Sequence, residues 1–107
     1  MTVRVIMAEL CGETPLAAAA RFHREVLPIA EDTLAHGHSL VIRFDYGEEK
    51  PHRWRREVVA ALAREYAPLR VNAVAPAQRV PDPAKMDAVA AFLSVNGGVT
   101  GQLLLAG

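Results

Sequence analysis

Four histidines and one cysteine are the side chains with which this sequence could bind a metal ion. They are His23, His36, His38, His52 and Cys11. Only His36 and His38 are close together, and alternation on an extended segment would bring both rings to one side. The two residues span a predicted helix end, however, and no adjacent carboxylate completes a zinc-type set. We interpret the histidines as surface or helix-end residues and predict no metal site.

Two further groups have the chemistry for a nucleophile or for anion binding. Cys11 is predicted to lie in a turn, and a nucleophilic cysteine needs a basic partner that lowers the pKa of its thiol. No histidine is near Cys11 in sequence, so we interpret it as a small turn thiol. Residues 53–56, Arg-Trp-Arg-Arg, could stack on or pair with an anionic ligand. We interpret them instead as a solvated basic first helical turn with one buried tryptophan.

The elements that must position these residues alternate between strands and helices. Apolar, β-branched runs predict the strands, and cap signals followed by apolar positions at helical spacing predict the helices. The predicted strands are Val3–Met7, Ser39–Phe44, Arg70–Ala75 and Gln102–Ala106, and the predicted helices are Leu16–His36, Pro51–Tyr66 and Asp82–Val95. Pro28 predicts a kink or a break in the first helix. The βαβαβαβ order predicts an α/β fold of about four mostly parallel strands, in two or three layers, with right-handed connections.

Length and composition limit the class of protein. The chain has 107 residues, 51% of them hydrophobic and 22% charged, which is typical of one globular domain spanning residues 1–107. Twelve basic residues balance twelve acidic ones, so we predict neither nucleic acid nor a membrane as a partner. The single cysteine excludes an intramolecular disulfide. No signal peptide or apolar run of about 20 residues is visible, so we predict a soluble, cytoplasmic protein.

Two blocks in the second half of the sequence resemble a known family. Residues 63–76, AREYAPLRVNAVAP, are similar to the short-chain dehydrogenase/reductase segment that runs from the active-site helix into the sixth strand. Residues 88–93, AVAAFL, followed by residues 99–105, VTGQLLL, resemble that family's last helix and seventh strand. The blocks occur in family order. The chain thus resembles the C-terminal half of a short-chain dehydrogenase/reductase, which implies a truncated, half-Rossmann α/β domain.

The sequence departs from the family where the family binds its cofactor. The resemblance implies a dinucleotide on a G-x-x-x-G-x-G turn after a first strand, where backbone N–H groups meet the pyrophosphate. This chain has no such motif. The nearest segment, residues 10–13, has one glycine and an acidic residue where phosphate would lie, and Pro76-Ala77 stands where the family usually has Pro-Gly. We therefore predict no cofactor.

The family's catalytic residues are also incomplete. The resemblance implies a Ser that holds the substrate oxygen, a Tyr general acid/base and a Lys four residues later that lowers the Tyr pKa. Tyr46 and Lys50 have this spacing and are the candidate pair. An ungapped alignment, however, puts Glu48 and His52 in the Tyr and Lys positions, and Pro51 places the pair before the helix. We interpret Tyr46 as a loop residue and Lys50 as solvated, and predict that the chain is not a competent dehydrogenase.

Three functions remain open, and the third, a remnant with only a folding role in a complex, has the same sequence pattern as the first. The first is a non-catalytic protein-interaction or oligomerisation module. Strands that are apolar almost throughout are typical of sheets that are buried on both faces. Either the helix Asp82–Val95 or another chain must therefore cover the sheet face opposite the other helices. The resemblance also implies that the two long helices form a dimer interface. We therefore predict a homodimer or association with a full-length reductase.

The second function is a small-molecule binding protein or residual oxidoreductase. In parallel α/β folds, ligands bind in the crevice at the carboxyl ends of the strands. The candidate residues for such a crevice are Asp45, Tyr46, Asn72, Gln78 and Arg79.

Overall fold

The computed structural model describes residues 2–10, 12–47 and 52–107, which fold around one four-stranded parallel sheet. The strands are β1 (Val3–Ala8), β2 (Ser39–Phe44), β3 (Val71–Pro76) and β4 (Leu103–Ala106), in the spatial order β1-β2-β3-β4. The α-helices are α1 (Pro15–Arg21), α2 (Leu27–Ala35), α3 (Arg53–Glu65) and α4 (Pro83–Val95). The predicted α/β fold and its element order are confirmed, with strand ends within one residue of the prediction. Pro51, the predicted start of the third helix, lies outside the described residues.

The first predicted helix is interrupted before Pro28. A π-helical turn, Phe22–Val26, joins α1 to α2, and the Leu27 N–H donates to the Phe22 carbonyl five residues earlier. Pro28 has no N–H, and its ring would collide with a carbonyl in an unbroken α-helix. The wider turn directly before it accommodates both effects. α2 then ends at Ala35, and Gly37, two residues later, has a φ of +86°, a conformation that favours glycine.

Helices cover both faces of the sheet. The larger core lies between the sheet and α1–α3, and its fully buried side chains include Phe22, Phe44 and Leu40. On the second face, α4 packs on β2, β3 and β4 and buries Val41 and Val74. The helix Asp82–Val95 therefore covers most of the second face, as one of the two sequence alternatives expected.

The three crossovers do not share one hand. Strand order follows chain order, so each crossover steps one strand in the same direction. The first two pass over the face covered by α1–α3, and the last passes over the opposite face with α4, so the last has the opposite hand. Since right-handed crossovers are the strong rule, the β3–α4–β4 crossover is the left-handed one. The expectation of right-handed connections throughout is wrong here, because α4 buries Val41 and Val74 on the second face.

On the second face of β1, Val3 packs against the core below α4, whereas the two following side chains on that face are exposed. Val5 and Met7 point to that face, next to Val41 and Arg43 of β2 in the strand register. Their exposed fractions are 48% and 55%. None of the helices in the described ranges is both long and apolar enough to cross a lipid bilayer.

Candidate functional site

A cavity of about 480 Å³ opens at the carboxyl ends of β1 and β2. The segments that follow these two strands and the first turns of α1 and α3 form its walls, and Arg79, from the loop after β3, completes the rim. Its apolar lining comes from Leu10, Pro15, Ala18 and Trp54. We call this cavity the crevice. Its position is where parallel α/β folds bind ligands.

An ion pair below the crevice joins the ends of β1, β2 and α3. Arg55 donates to the Asp45 carbonyl at 2.7 Å, and its Nη2 lies 3.5 Å from Asp45 Oδ1. The other carboxylate oxygen of Asp45 accepts the Leu10 N–H at 2.7 Å. These contacts tie the loop after β1 to the loop after β2, so the crevice walls are held by a charged, hydrogen-bonded unit.

Arg55 is the functional residue that sequence reasoning missed. We expected its side chain on the solvent face of α3, yet it is only 4% exposed. Its guanidinium stacks on Phe44 at 4.5 Å, and a Cβ added to Gly47 would lie 3.0 Å from its Cζ. The carboxylate and carbonyl of Asp45 and the Phe44 ring replace the water that this cation loses. A signal was present, because Arg55 shares the buried helical stripe of Val58, Val59 and Leu62.

An aromatic cluster supports the floor of the crevice. The ring centroids of Phe22, Phe44 and Trp54 lie 5.5–5.9 Å from one another. Phe22 and Phe44 are fully buried, whereas Trp54 is half-buried and reaches the crevice lining. The predicted buried tryptophan is therefore partly exposed, and its exposed part faces the crevice.

The structure brings together some of the predicted crevice residues and separates others. Tyr46 and Arg79 line the crevice, and the Arg79 guanidinium lies 5.4 Å from the Tyr46 ring centroid. Asp45 lies behind the crevice wall and affects the crevice through its ion pair with the lining residue Arg55. Gln78 is exposed beside the end of β4, where its Nε2 donates to the Gly107 carbonyl at 3.2 Å.

Asn72 does not belong to the crevice. It is the second residue of β3 and lies at the amino end of the sheet, opposite the crevice. Its amide donates to the Val99 carbonyl at 2.9 Å, and its Oδ1 accepts the Gln102 N–H at 3.1 Å. Its assignment to the crevice at the carboxyl ends of the strands is therefore wrong. The structure gives it another role, since it satisfies the backbone of the loop that leads into β4.

Only some of the candidate catalytic and metal-binding residues lie within the described part of the chain. Lys50 and Cys11 lie outside the described residues, so the Tyr46–Lys50 pair stays a prediction. The two serines lie away from the crevice: Ser39 Oγ accepts the Arg70 N–H at the amino end of β2, and Ser94 bonds to the Ala90 carbonyl within α4. Across residues 2–10, 12–47 and 52–107, no three metal-binding side chains gather in one place.

Tyr66 carries a perturbed phenol outside the crevice. It follows α3, and its hydroxyl donates to Glu31 Oε2 at 3.1 Å. Partial removal from water raises the pKa of Tyr66, and the hydrogen bond to Glu31 and the negative charge of that carboxylate raise it further.

The described residues form a parallel α/β domain with a crevice at the carboxyl ends of its strands, and comparison with known proteins identifies its family. The family model for SDR-like, short chain dehydrogenase-like proteins matches residues 6–106. The chain therefore belongs to the short chain dehydrogenase-like family. A solved structure described as a small-chain dehydrogenase superimposes with a TM-score of 0.69, covering 99% of this chain and 67% of that one at 15% identity. At that identity the likeness shows the fold. No curated protein matches the sequence.

Proposed function

We propose that this chain is a non-catalytic member of its family that acts as an oligomerisation module, with a second copy of itself as the partner. The observation that carries the proposal is the outer edge of β1. β1 is hydrogen-bonded to β2, and within the described part of the chain no strand pairs with its other edge. An unpaired edge beside the exposed Val5 and Met7 is a template for pairing with another strand.

Two features support a non-catalytic role. The sequence has no glycine-rich turn for a dinucleotide, and neither of its serines lies at the crevice.

A two-fold axis perpendicular to the sheet would join two β1 edges into one continuous sheet. The strands would then pair antiparallel, and opposite residues would share a face. Placing Val5 opposite Val5 of the second copy also places Val3 opposite Met7, so the exposed apolar side chains would cover one another. The only charge on β1, Arg4, points to the other face. With a net charge of zero, two copies do not repel each other strongly.

The family resemblance implies a rival interface through the long helices. The outward side chains of α3 include the exposed Arg53, Glu57 and Arg64, which would have to lose water on association. Ile29 of α2 is 56% exposed and marks the helix face most suited to that interface. We favour the β1 edge because the exposed side chains on its second face are apolar and its backbone can pair.

Sedimentation velocity of three matched variants tests this proposal. We expect the wild-type chain to dimerise and Met7→Lys to weaken the dimer at least about tenfold, because a lysine on an edge strand opposes pairing. Ile29→Lys and Val80→Lys, at exposed positions on α2 and on the loop after β3, should leave the dimer intact. Circular dichroism checks that each variant is folded.

Three results would overturn the proposal. Loss of the dimer in Ile29→Lys but not in Met7→Lys would locate the interface on the helices. A wild-type chain that is monomeric at every soluble concentration would exclude self-association. A chain that is monomeric alone but co-sediments with a full-length reductase would replace the second copy with that partner.

A second candidate function is small-molecule binding or residual oxidoreductase activity in the crevice. The observation that favours it is the cavity itself, whose volume of about 480 Å³ lies within the usual range of about 300–1,000 Å³ for ligand sites. Thermal-shift screening against nucleotides and carbonyl compounds tests it. Stabilisation by a compound, lost when Tyr46→Ala alters the wall, would support binding, and no stabilisation by any compound would count against it.

A further inference from the structure

We propose that Arg4 of one copy pairs with Asp32 of the second copy across the β1 edge, and that the two-fold axis makes this contact twice in each dimer. The inference rests on the proposed function, the β1-edge dimer, and names the charged pair that fixes its register. Three observations carry it: a cleft between β1 and α2, the arrangement of charge inside that cleft, and its position beside the proposed axis.

The cleft is open and has a volume of about 410 Å³. We call it the edge cleft. Residues 4–6 of β1 line one side of it. The other side is lined by Asp32, Thr33, His36 and His38, from α2 and the segment after it. The edge cleft therefore lies on the sheet face covered by α1–α3, opposite the face of the exposed Val5 and Met7 side chains.

The edge cleft holds one arginine and one carboxylate that do not pair within the chain. Arg4 is exposed, and it points to the α2 side of the sheet because its neighbour in the register is the core residue Leu40. In the described part of the chain, no carboxylate lies within ion-pair distance of Arg4. The Asp32 side chain is 75% exposed, and its Oδ1 lies 3.6 Å from Nδ1 of His36. Both charged groups can therefore reach a second copy.

The proposed two-fold axis places two edge clefts side by side. The axis passes beside Val5, and Val5 itself lines the edge cleft. In that register Arg4 lies opposite Ile6 of the second copy, with about 4.5–5.5 Å between Cα atoms. Ile6 of the second copy lines that copy's edge cleft together with its Asp32. The arginine of each copy thus lies beside the carboxylate of the other, and the symmetry makes the contact reciprocal.

The pair explains why this register would be preferred. A slip of two residues keeps every side chain on its own face, so apolar pairing of Val5 and Met7 does not exclude it. The slip moves Arg4 about 7 Å along the second copy and away from its Asp32. Charged pairs across an interface contribute more to specificity than to affinity, and exclusion of water strengthens their attraction. We therefore assign the choice of register to Arg4 and Asp32.

Charge reversal in separate chains distinguishes a contact between copies from one within a copy. Arg4→Glu brings acidic groups together at both contacts of its homodimer, and Asp32→Arg brings basic groups together. Each variant alone should dimerise at least about tenfold more weakly than the wild type. In an equimolar mixture the introduced glutamate of one chain meets the introduced arginine of the other, and the native Arg4 and Asp32 meet at the second contact. The mixture should therefore form heterodimers with close to the wild-type affinity.

Sedimentation velocity at pH 8, where histidine is ordinarily uncharged, measures the affinities, and native mass spectrometry identifies the heterodimer by its mass. Arg64→Glu and Glu57→Arg make the same changes of charge at exposed positions of α3 and should leave the dimer unchanged. Circular dichroism checks that each variant is folded.

The wild-type chain separates failure of this contact from failure of the dimer itself. If the wild type dimerises and both single variants dimerise equally well, the Arg4–Asp32 contact is overturned while the β1-edge dimer stands. A mixture that remains monomeric would also overturn the contact, because a pair within one chain cannot be restored by mixing. A wild-type chain that is monomeric at every soluble concentration would overturn both.

Discussion

Replacing Arg55 by methionine should destabilise the domain far more than any other arginine substitution on α3. Methionine keeps much of the side-chain volume but removes the charge. The change loses the hydrogen bond to the Asp45 carbonyl, the ion pair with its carboxylate and the stacking on Phe44. It leaves Asp45 without its cation, although that carboxylate still accepts the Leu10 N–H.

The magnitude follows from these contacts. A hydrogen bond to a charged group contributes about 1.5–3 kcal/mol, and a desolvated cation–π contact adds about 0.5–2 kcal/mol. Asp45 is 21% exposed, so water partly compensates its lost partner. We therefore expect Arg55→Met to lower the free energy of unfolding by about 2–4 kcal/mol, against a total of about 5–15 kcal/mol for a domain of ordinary stability.

Urea unfolding followed by circular dichroism measures this difference, since Trp54 fluorescence would respond to the substitution itself. The control is Arg64→Met, because Arg64 is exposed and its contact with Glu57 is 3.7 Å long, so it should change stability by less than about 0.5 kcal/mol. Asp45→Asn should cost about 1 kcal/mol, and the double variant should show a coupling energy of about 1–2 kcal/mol. If Arg55→Met were no more damaging than Arg64→Met, the ion pair would not hold the crevice walls.

Three further predictions concern residues outside the crevice. Asn72→Leu should cost about 2–3 kcal/mol of stability in urea unfolding, because the Val99 carbonyl and the Gln102 N–H lose their partner; a neutral result would contradict its bracing role. Asp82→Ala should cost about 1 kcal/mol, since its carboxylate caps the first N–H groups of α4, and Asp82→Asn, which keeps an acceptor, should recover most of that loss. In a Tyr46→Phe background, phenolate absorbance should show Tyr66 ionising above the ordinary pKa of tyrosine, and Glu31→Gln should bring the pKa down. Because the unfolded phenol ionises first, stability should fall as pH rises from the ordinary value through the raised one; titration at the ordinary value would refute the Glu31 contact.

The strands and caps were predictable from sequence because their signals are local. The apolar runs that predict β2 and β4 need no knowledge of distant residues, and the same is true of Asp82 followed by Pro83 at the start of α4. The Tyr46–Arg79 contact followed from topology, since both residues come after strands whose carboxyl ends meet at one edge.

The misses share one physical cause, which is that distant contacts override local character. Arg55 can be buried because the Asp45 carboxylate and the Phe44 ring stabilise its charge. A helical pattern that treats every arginine as solvent-facing contains no information about these distant contacts. For the same reason Asn72 is a structural residue and not a ligand candidate. Its side chain bonds to the backbone of Val99 and Gln102, about thirty residues away in sequence. The hand of the last crossover depends on which sheet face lacks a cover, and a one-dimensional pattern does not contain that information.

The left-handed crossover has a consequence for how the chain is made. Ribosomes release the N-terminal elements first, so β1, β2 and β3 can form with α1–α3 on one face before α4 exists. Val41 and Val74 of the opposite face then stay in contact with water until residues 83–106 are synthesised. During that interval the nascent chain has helices on one face of its sheet and an exposed apolar surface on the other. Exposed apolar surface of this kind favours chaperone binding and aggregation. The second sheet face is therefore buried only after α4 has been synthesised. We expect stalled chains that end before α4 to be degraded rather than to accumulate.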